Sequence, residues 1–527
     1  MMTATLRART TTPGPARRDR WARRAGRRAA ALLRATGLLL AAAVRAATYH
    51  VDSATGDDAH DGLRPATAWR SIERVNQAVF QPGDRILLRA GSSWEGVTLR
   101  PKGSGASGAP IVLGRYGEGP APALHGRGQV PCVFRLENQE QWEISDLEIS
   151  NHADTEGRRL RGIEVRATDC GVRHHLVFRS LWVHDVNAAA TYTNDGDNVA
   201  KSFGGFVALI EGSARQTAWD DFVVEQCRFV DDGPAGLTLF SSWTAGHRAN
   251  NLATWFPSRG VVVRGCTFER IARNGLVVRA CAAPLIEFNL FTHCGLRGSG
   301  NASFAYHCDD ALFQFNEACF TKYNAGDADA AGFDSDYNCR RTIFQFNYSH
   351  DNDYGFILLC CNGQIGFNED TIVRDNISQN DGGIAIRFAG PVKNARITHN
   401  TIYLGPDMKS PRENEPPRIV AHKSWGGWSD NVEFSENIIV NLSEHAGYDF
   451  AQSTNNRYER NVFFGNHPAS EPDDAHKLTA DPLLARPGGA SSRNTNAAAG
   501  WASAMAVYAL RAGSPAAGVG ARPPPAR

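Results

Sequence analysis

The sequence lacks what a zinc scaffold needs: its 11 cysteines are odd in number and none stands in a paired CxxC spacing. Methionine is scarce at four, and no apolar run approaches the roughly 20 residues of a bilayer-spanning helix, so no transmembrane span is expected. Net charge is nearly absent too, at +1 over 527 residues, but that balance hides an asymmetry. Residues 1–46 hold 11 Arg and one Asp and run into the apolar stretch "ATGLLLAAAV" and the small residues of "VRAAT". This order of basic, apolar and small is that of a secretory signal peptide, cut after Ala46. "RRAGRR" would be a weak twin-arginine export signal, and a nucleic-acid-binding arm is the alternative. The remainder carries 45 basic and 54 acidic residues, net −9, which argues against nucleic acid as a partner. A secreted or periplasmic protein, and a monomer, is expected.

What the sequence does have is a repeat. From residue 222 the same phrase recurs as "VVEQCRF", "VVRGCTF", "LIEFNLF", "LFQFNEA", "IFQFNYS", "IVRDNIS", "RITHNTI", "VEFSENII" and "RYERNVF". Aligned, the phrases put Cys227, Cys266, Asn289, Asn316, Asn347, Asn376, Asn400, Asn437 and Asn461 in one column. The unit reads as short strands of period two joined by tight turns, and it is too small to bury its own apolar face. Stacked units bury it, with the Asn side chains free to bond rung to rung, so the sequence predicts an all-β fold, a right-handed parallel β-helix of roughly ten or more coils. Cys227 and Cys266 fall inside the repeat, where buried thiols compete with disulfides as a reading; Cys360 and Cys361 read as packing. In "SIERVNQAV", Ile72, Val75 and Val79 share a helical face suited to an N-terminal helical cap.

The opening "YHVDSATGDDAHDGLRPATAWRSIERVNQAVFQPGDRILLRAGSSWEG" (49–96) resembles the N-terminal region of secreted parallel β-helix proteins of the pectin-lyase-like superfamily. "ADPLL" (480–484) with "YALRAGSPAAGVG" (508–520) is similar to their closing segment. The resemblance implies the fold over nearly the whole chain and leaves the reaction open, since that superfamily includes lyases, hydrolases, epimerases and adhesins. The expected division is a signal peptide at 1–46, cap and first strands at 47–125, β-helix at 126–467 and a C-terminal capping segment and tail at 468–527. The loop "GDDAHDG" reads first as a solvated turn, with calcium on Asp57, Asp58 and Asp61 as the alternative.

A second strand precedes each Asn phrase: "GLTLF", "GLVVR", "SFAYH", "GFDSD", "GFILL", "GIAIR" and "RIVAH". Period two sends Phe333 and Ser335, Phe356 and Leu358, and Ile384 and Ile386 inward. One outward column then reads Arg279, His307, Asp336, Leu359, Arg387, His422; the other contains Asp334. "CDDA" adds Asp309 and Asp310 in the turn after His307. Inserted loops offer walls through Tyr192 and Lys201, through Trp243, His247, Arg248 and Trp255, and through Lys322 and Tyr323. Asp351 and Asp353 read as turn residues, with substrate contact the alternative.

Hydrolysis of a glycosidic bond needs two carboxyl groups. The expected assignment is Asp310 or Asp334 as acid and Asp336 as base or nucleophile, with Asp309 nearby and Arg279 and His307 orienting the sugar. Arg387, His422, Lys201 and Tyr323 are the further substrate-binding candidates. Hydrolysis of a polysaccharide or oligosaccharide would require no cofactor. The cluster also resembles the Asp pair of β-helix polygalacturonases, whose "NTD", "GHG" and "RIK" phrases are absent here. The alternative is β-elimination from a uronate polymer, with Lys201, His307 or Tyr323 as base. Calcium on Asp334, Asp336 and Asp309, or Arg279 and Arg387 directly, would neutralise the uronate. A third reading is a non-catalytic glycan-binding surface protein.

Overall fold

Strands with one apolar face need partners above and below, and the repeat supplies them coil by coil. The structure, a computed structural model, describes residues 46–155, 158–188, 201–326, 329–491, 494 and 496–525. The expected signal peptide, apart from Ala46, and Tyr192 lie outside them. Three long sheets of 14, 13 and 11 strands run side by side along a parallel β-helix, each strand pairing with its counterparts in the coils before and after. The register is parallel and unshifted over long stretches, as where Phe313 meets Ile286 on one side and Phe344 on the other. Aromatic rings stack through the interior on the same spacing, Phe229 on Phe268 at 4.9 Å and Phe268 on Phe291 at 4.8 Å.

The corner between the first two sheets carries the repeated Asn. Each is preceded by a residue in the left-handed region, from Phe288 (φ 57°) through Phe346 (φ 55°) to Arg460 (φ 56°). That conformation costs a non-glycine residue about 1 kcal/mol or more. A hydrogen-bond ladder offsets the cost. Asn376 Nδ2 donates to Asn400 Oδ1 (2.9 Å) and to the Phe344 carbonyl (2.9 Å), while its own Oδ1 accepts from Asn347 Nδ2 (2.9 Å) and the Asn347 backbone N–H (3.0 Å). The pattern repeats from Asn289 to Asn461, all buried, and ends on the Asp474 carboxylate, which accepts from Asn461 Nδ2 (3.0 Å).

At the N-terminus a short helix, α1 (Ile72–Gln77), starts at Ser71, whose hydroxyl accepts from the Arg74 N–H, and turns Ile72 and Val75 onto the first coil. Val79 departs from the expected face: it lies past the helix end and is 61% exposed. The carboxylates of Asp57 and Asp61 accept the N–H groups two residues on, and that of Asp58 accepts from Arg70 and Ser71 N–H at the start of α1, so all three are engaged as turn residues are. At the other end α2 (Ala497–Val507) packs Trp501, Ala504 and Val507 against Phe346, Tyr348, Ile377 and Ile438 on the outer side of the second sheet. All 11 cysteines are free thiols.

Candidate active site

The third sheet builds the candidate site from successive coils. Its relevant strands are β1 (Asn274–Arg279), β2 (Ser303–Tyr306), β3 (Phe333–Ser335), β4 (Ile357–Cys360), β5 (Ile384–Ala389) and β6 (Arg418–Lys423). Register places Val277, Phe304, Asp334, Leu358, Arg387 and Ala421 in one outward row. Two residues along, Arg279 lies beside Tyr306, and Cys360 beside Ala389, which in turn lies beside Lys423. Asp336 follows the end of β3, its N–H donating to the Ala305 carbonyl. These rows floor a cleft of about 1120 Å³ walled by Lys201, Asp329, Tyr354, Arg412, Glu415 and Trp425.

Asp334 is 2% exposed; its Oδ2 accepts from Asn301 Nδ2 at 2.9 Å. Burial, and then the charges of Asp336 and Asp329, push its carboxyl well above the usual range, which favours its protonated form. Asp336 is half-buried. Its Oδ1 accepts twice, from the Tyr337 N–H at 2.7 Å and from the Cys360 thiol at 3.2 Å, and no donor from the described residues meets Oδ2. Burial raises it to about 6, against the opposing charge of Lys201. A carboxylate oxygen of each Asp and the Cys360 sulfur all lie within 4.8 Å of one another. Asp329, also half-buried, accepts from the Ser299 hydroxyl at 2.8 Å and lies near enough to raise both other acids.

The cleft therefore collects Asp334, Asp336, Arg279, Arg387 and Lys201 from the expected set. The rest are corrections. Asp310 is half-exposed and forks with Arg341 (2.6 and 2.9 Å) over the first sheet, and Asp309 accepts from His247 at 2.8 Å, so neither reaches Asp336. His307 is turned off the strand at φ 54°, bonded to Asn338 (3.1 Å) and held neutral by burial at a pKa of about 3. His422 is an interior residue, stacked on Phe388 at 4.5 Å and 1% exposed. Tyr323 stands behind the wall and accepts from Arg412 Nε at 3.2 Å. Trp243, His247 and Trp255 are packed inward rather than lining the cleft, and Arg248 and Lys322 are likewise absent from its lining. Asp351 and Asp353 bond His350, Lys322 and the Tyr323 N–H, as turn residues do.

Calcium fits this donor set poorly. It takes six to eight oxygens, whereas the cluster offers two carboxyls and a thiol, Asp334 feels the cations of Arg387 and Lys201, and Asp309 is elsewhere. Sequence reading missed Asp329, which sits in the inserted loop after Tyr323, and the wall residues Tyr306, Tyr337, Arg297, Arg412 and Trp425. It also took Cys360 for packing, although the thiol touches Asp336. For Asp329 the signal was the length of the loop insertion, whereas Tyr306 and Cys360 lie in strands and Tyr337 just after one.

No family model matches the chain. A lacto-N-biosidase of Bifidobacterium longum subsp. longum is 24% identical over 542 aligned residues, 85% of this chain and 32% of that protein. The chain thus spans about a third of this curated relative. A stretch of 65 residues, 12% of the chain and 11% of the other, is 31% identical to alpha-1,3-galactosidase A of Akkermansia muciniphila. The native structure of a GH136 lacto-N-biosidase from Eubacterium ramulus matches with a TM-score of 0.62 at 22% identity, over 78% of this chain and 68% of that one, a likeness of fold.

Proposed function

We propose that the chain is a glycoside hydrolase acting on an oligosaccharide in this cleft. The observation that carries the reading is Asp336: two donors converge on Oδ1, which fixes the carboxylate and leaves Oδ2, unbonded among the described residues, for bound sugar. Oδ2 attacks the anomeric carbon, the C–O bond to the leaving sugar breaks, and water later releases the glycosyl group. Asp334 is too enclosed to reach a leaving oxygen; it serves as a neutral neighbour that lets Asp336 alone carry charge. Of the two carboxyls on the wall, Glu415 is held by the Tyr354 hydroxyl, and Asp329 gives the leaving oxygen its proton and takes one from the water. Tyr306, Tyr337 and Trp425 offer apolar ring surface for sugar stacking. The likeness to the lacto-N-biosidase of B. longum supports hydrolysis of an oligosaccharide. For elimination, two of the three candidate bases, His307 and Tyr323, do not line the cleft.

The test is to incubate the protein with neutral and uronate oligosaccharides and follow the products. Saturated reducing ends with the anomeric configuration retained are expected, and Asp336→Asn should lower turnover by about 10³-fold or more. Unsaturated, UV-absorbing products would replace this reading with a lyase. Binding without products would leave a glycan-binding module, and full activity of Asp336→Asn would remove Asp336 from the chemistry.

A further inference from the structure

Arg387 carries more than the hydrolysis of a neutral sugar asks for. Its side chain lines the cleft floor and is nearly fully buried, at 4% exposed, yet Nε and Nη2 meet no hydrogen-bond acceptor among the described residues. Burying guanidinium N–H groups without acceptors is costly. The guanidinium is held in place by the Tyr354 ring, with Cζ 4.4 Å from the centroid. Arg412 lies over the same ring at 4.5 Å, and the Tyr354 hydroxyl donates to Glu415 Oε2 at 2.6 Å. The tyrosine is thus a fixed platform that presents guanidinium groups. The wider lining agrees in sign. Six cationic side chains (Lys201, Arg279, Arg297, Arg387, Arg412 and Lys423) face four acids, Asp329, Asp334, Asp336 and Glu415, of which Asp334 is favoured in its protonated form.

We infer that the cleft recognises a sugar bearing an oxyanion, a carboxylate or a sulfate ester, and that Arg387 receives it through its guanidinium. This deepens the hydrolase reading and rests on it. The position is informative: Arg387 stands two strands from Asp334 in the same row, with Leu358 between, about 9.6 Å along the stack. An offset of two coils suits an anion carried on a sugar next to the bond being cut, a role for Arg387 in selecting substrate. A planar guanidinium suits either anion, because two parallel N–H groups match two oxygens of a carboxylate or a sulfate.

The experiment measures binding and so does not require turnover. The full chain carrying Asp336→Asn is titrated with glucuronic acid against glucose and with galactose 6-sulfate against galactose, followed by calorimetry. At least a tenfold preference for one anionic member over its neutral twin is expected, the uronate arm indicating a carboxylate and the sulfate arm a sulfate ester. The preference should weaken as salt is raised. Arg387→Gln should reduce it to less than threefold, and Arg387→Lys, which keeps the charge but not the fork, should keep part of it. Equal affinity for neutral and anionic sugars, or a full preference retained by Arg387→Gln, overturns the inference. A preserved anion preference in a protein that yields no saturated products would instead count against the hydrolase reading and leave this recognition standing.

Discussion

Asp336 is the residue on which stability and activity pull in opposite directions. Its folded pKa of about 6 lies above the ordinary carboxyl value, so folding favours its protonated form. The stability this contributes is complete below about pH 3.9 and is lost as pH rises through about 6. Asp336→Asn, which cannot ionise, should therefore be more stable than the native chain above pH 6, by about 1–2 kcal/mol, with the gain vanishing near pH 4. Thermal unfolding followed across that range checks the sign. The same titration shapes catalysis: the reaction needs Asp336 ionised, so activity should rise along an acidic limb near pH 6. Lys201 opposes the rise in this pKa, and Lys201→Met should move the limb to higher pH, read from kcat/KM profiles of the two proteins.

At the scale of the strand, the ladder makes a quantitative demand. Asn376→Ala removes two donated bonds to carbonyls and the rungs to Asn347 and Asn400, all within the buried corner. Leaving those groups unmatched should cost about 3–5 kcal/mol, measurable as a drop in denaturation midpoint at unchanged slope. This ladder was legible in the sequence because one amide recurs in one place and each repeat phrase keeps the same length around it. The third sheet was less legible, and the reason is parity. In "SFAYH", Ser303 rather than Phe304 pairs with Phe333, so Phe304 faces the cleft and His307 falls off the strand. In "GFILL", Ile357 takes the place opposite Phe333, which turns Leu358 out and Leu359 in. "RIVAH" is displaced in the same sense, and His422 is drawn inside beside Phe388. A slip of one residue exchanges the faces of a strand, and hydrophobicity cannot detect it where the cleft itself presents Phe, Leu and Ala. Asp334 and Asp336 were identifiable because charged residues at two alternate positions of one strand leave no apolar reading of that face.

Over the whole molecule, the C-terminal segment acts as a side cover. Trp501 meets Phe315 and Phe346 edge-on at 6.3 and 5.9 Å, and Arg522 grips Asp375 through two bonds of 2.7 and 3.0 Å. A chain ending at residue 480 should therefore expose Phe346, Tyr348, Ile377 and Ile438 as one apolar strip on the second sheet. Increased binding of a hydrophobic dye, and self-association where the full chain has none, are the expected outcomes, read by fluorescence and light scattering. The Asn column adds a different constraint, because every amide in it gives to the next coil and receives from the one before. Such a one-way series can lengthen or shorten by whole coils anywhere within it without meeting a mismatch. It closes on a side chain that accepts from Asn461, that of Asp474. That residue is the full stop of the solenoid, and Asp474→Asn would bring to the terminus an amide whose hydrogens have no next coil to meet.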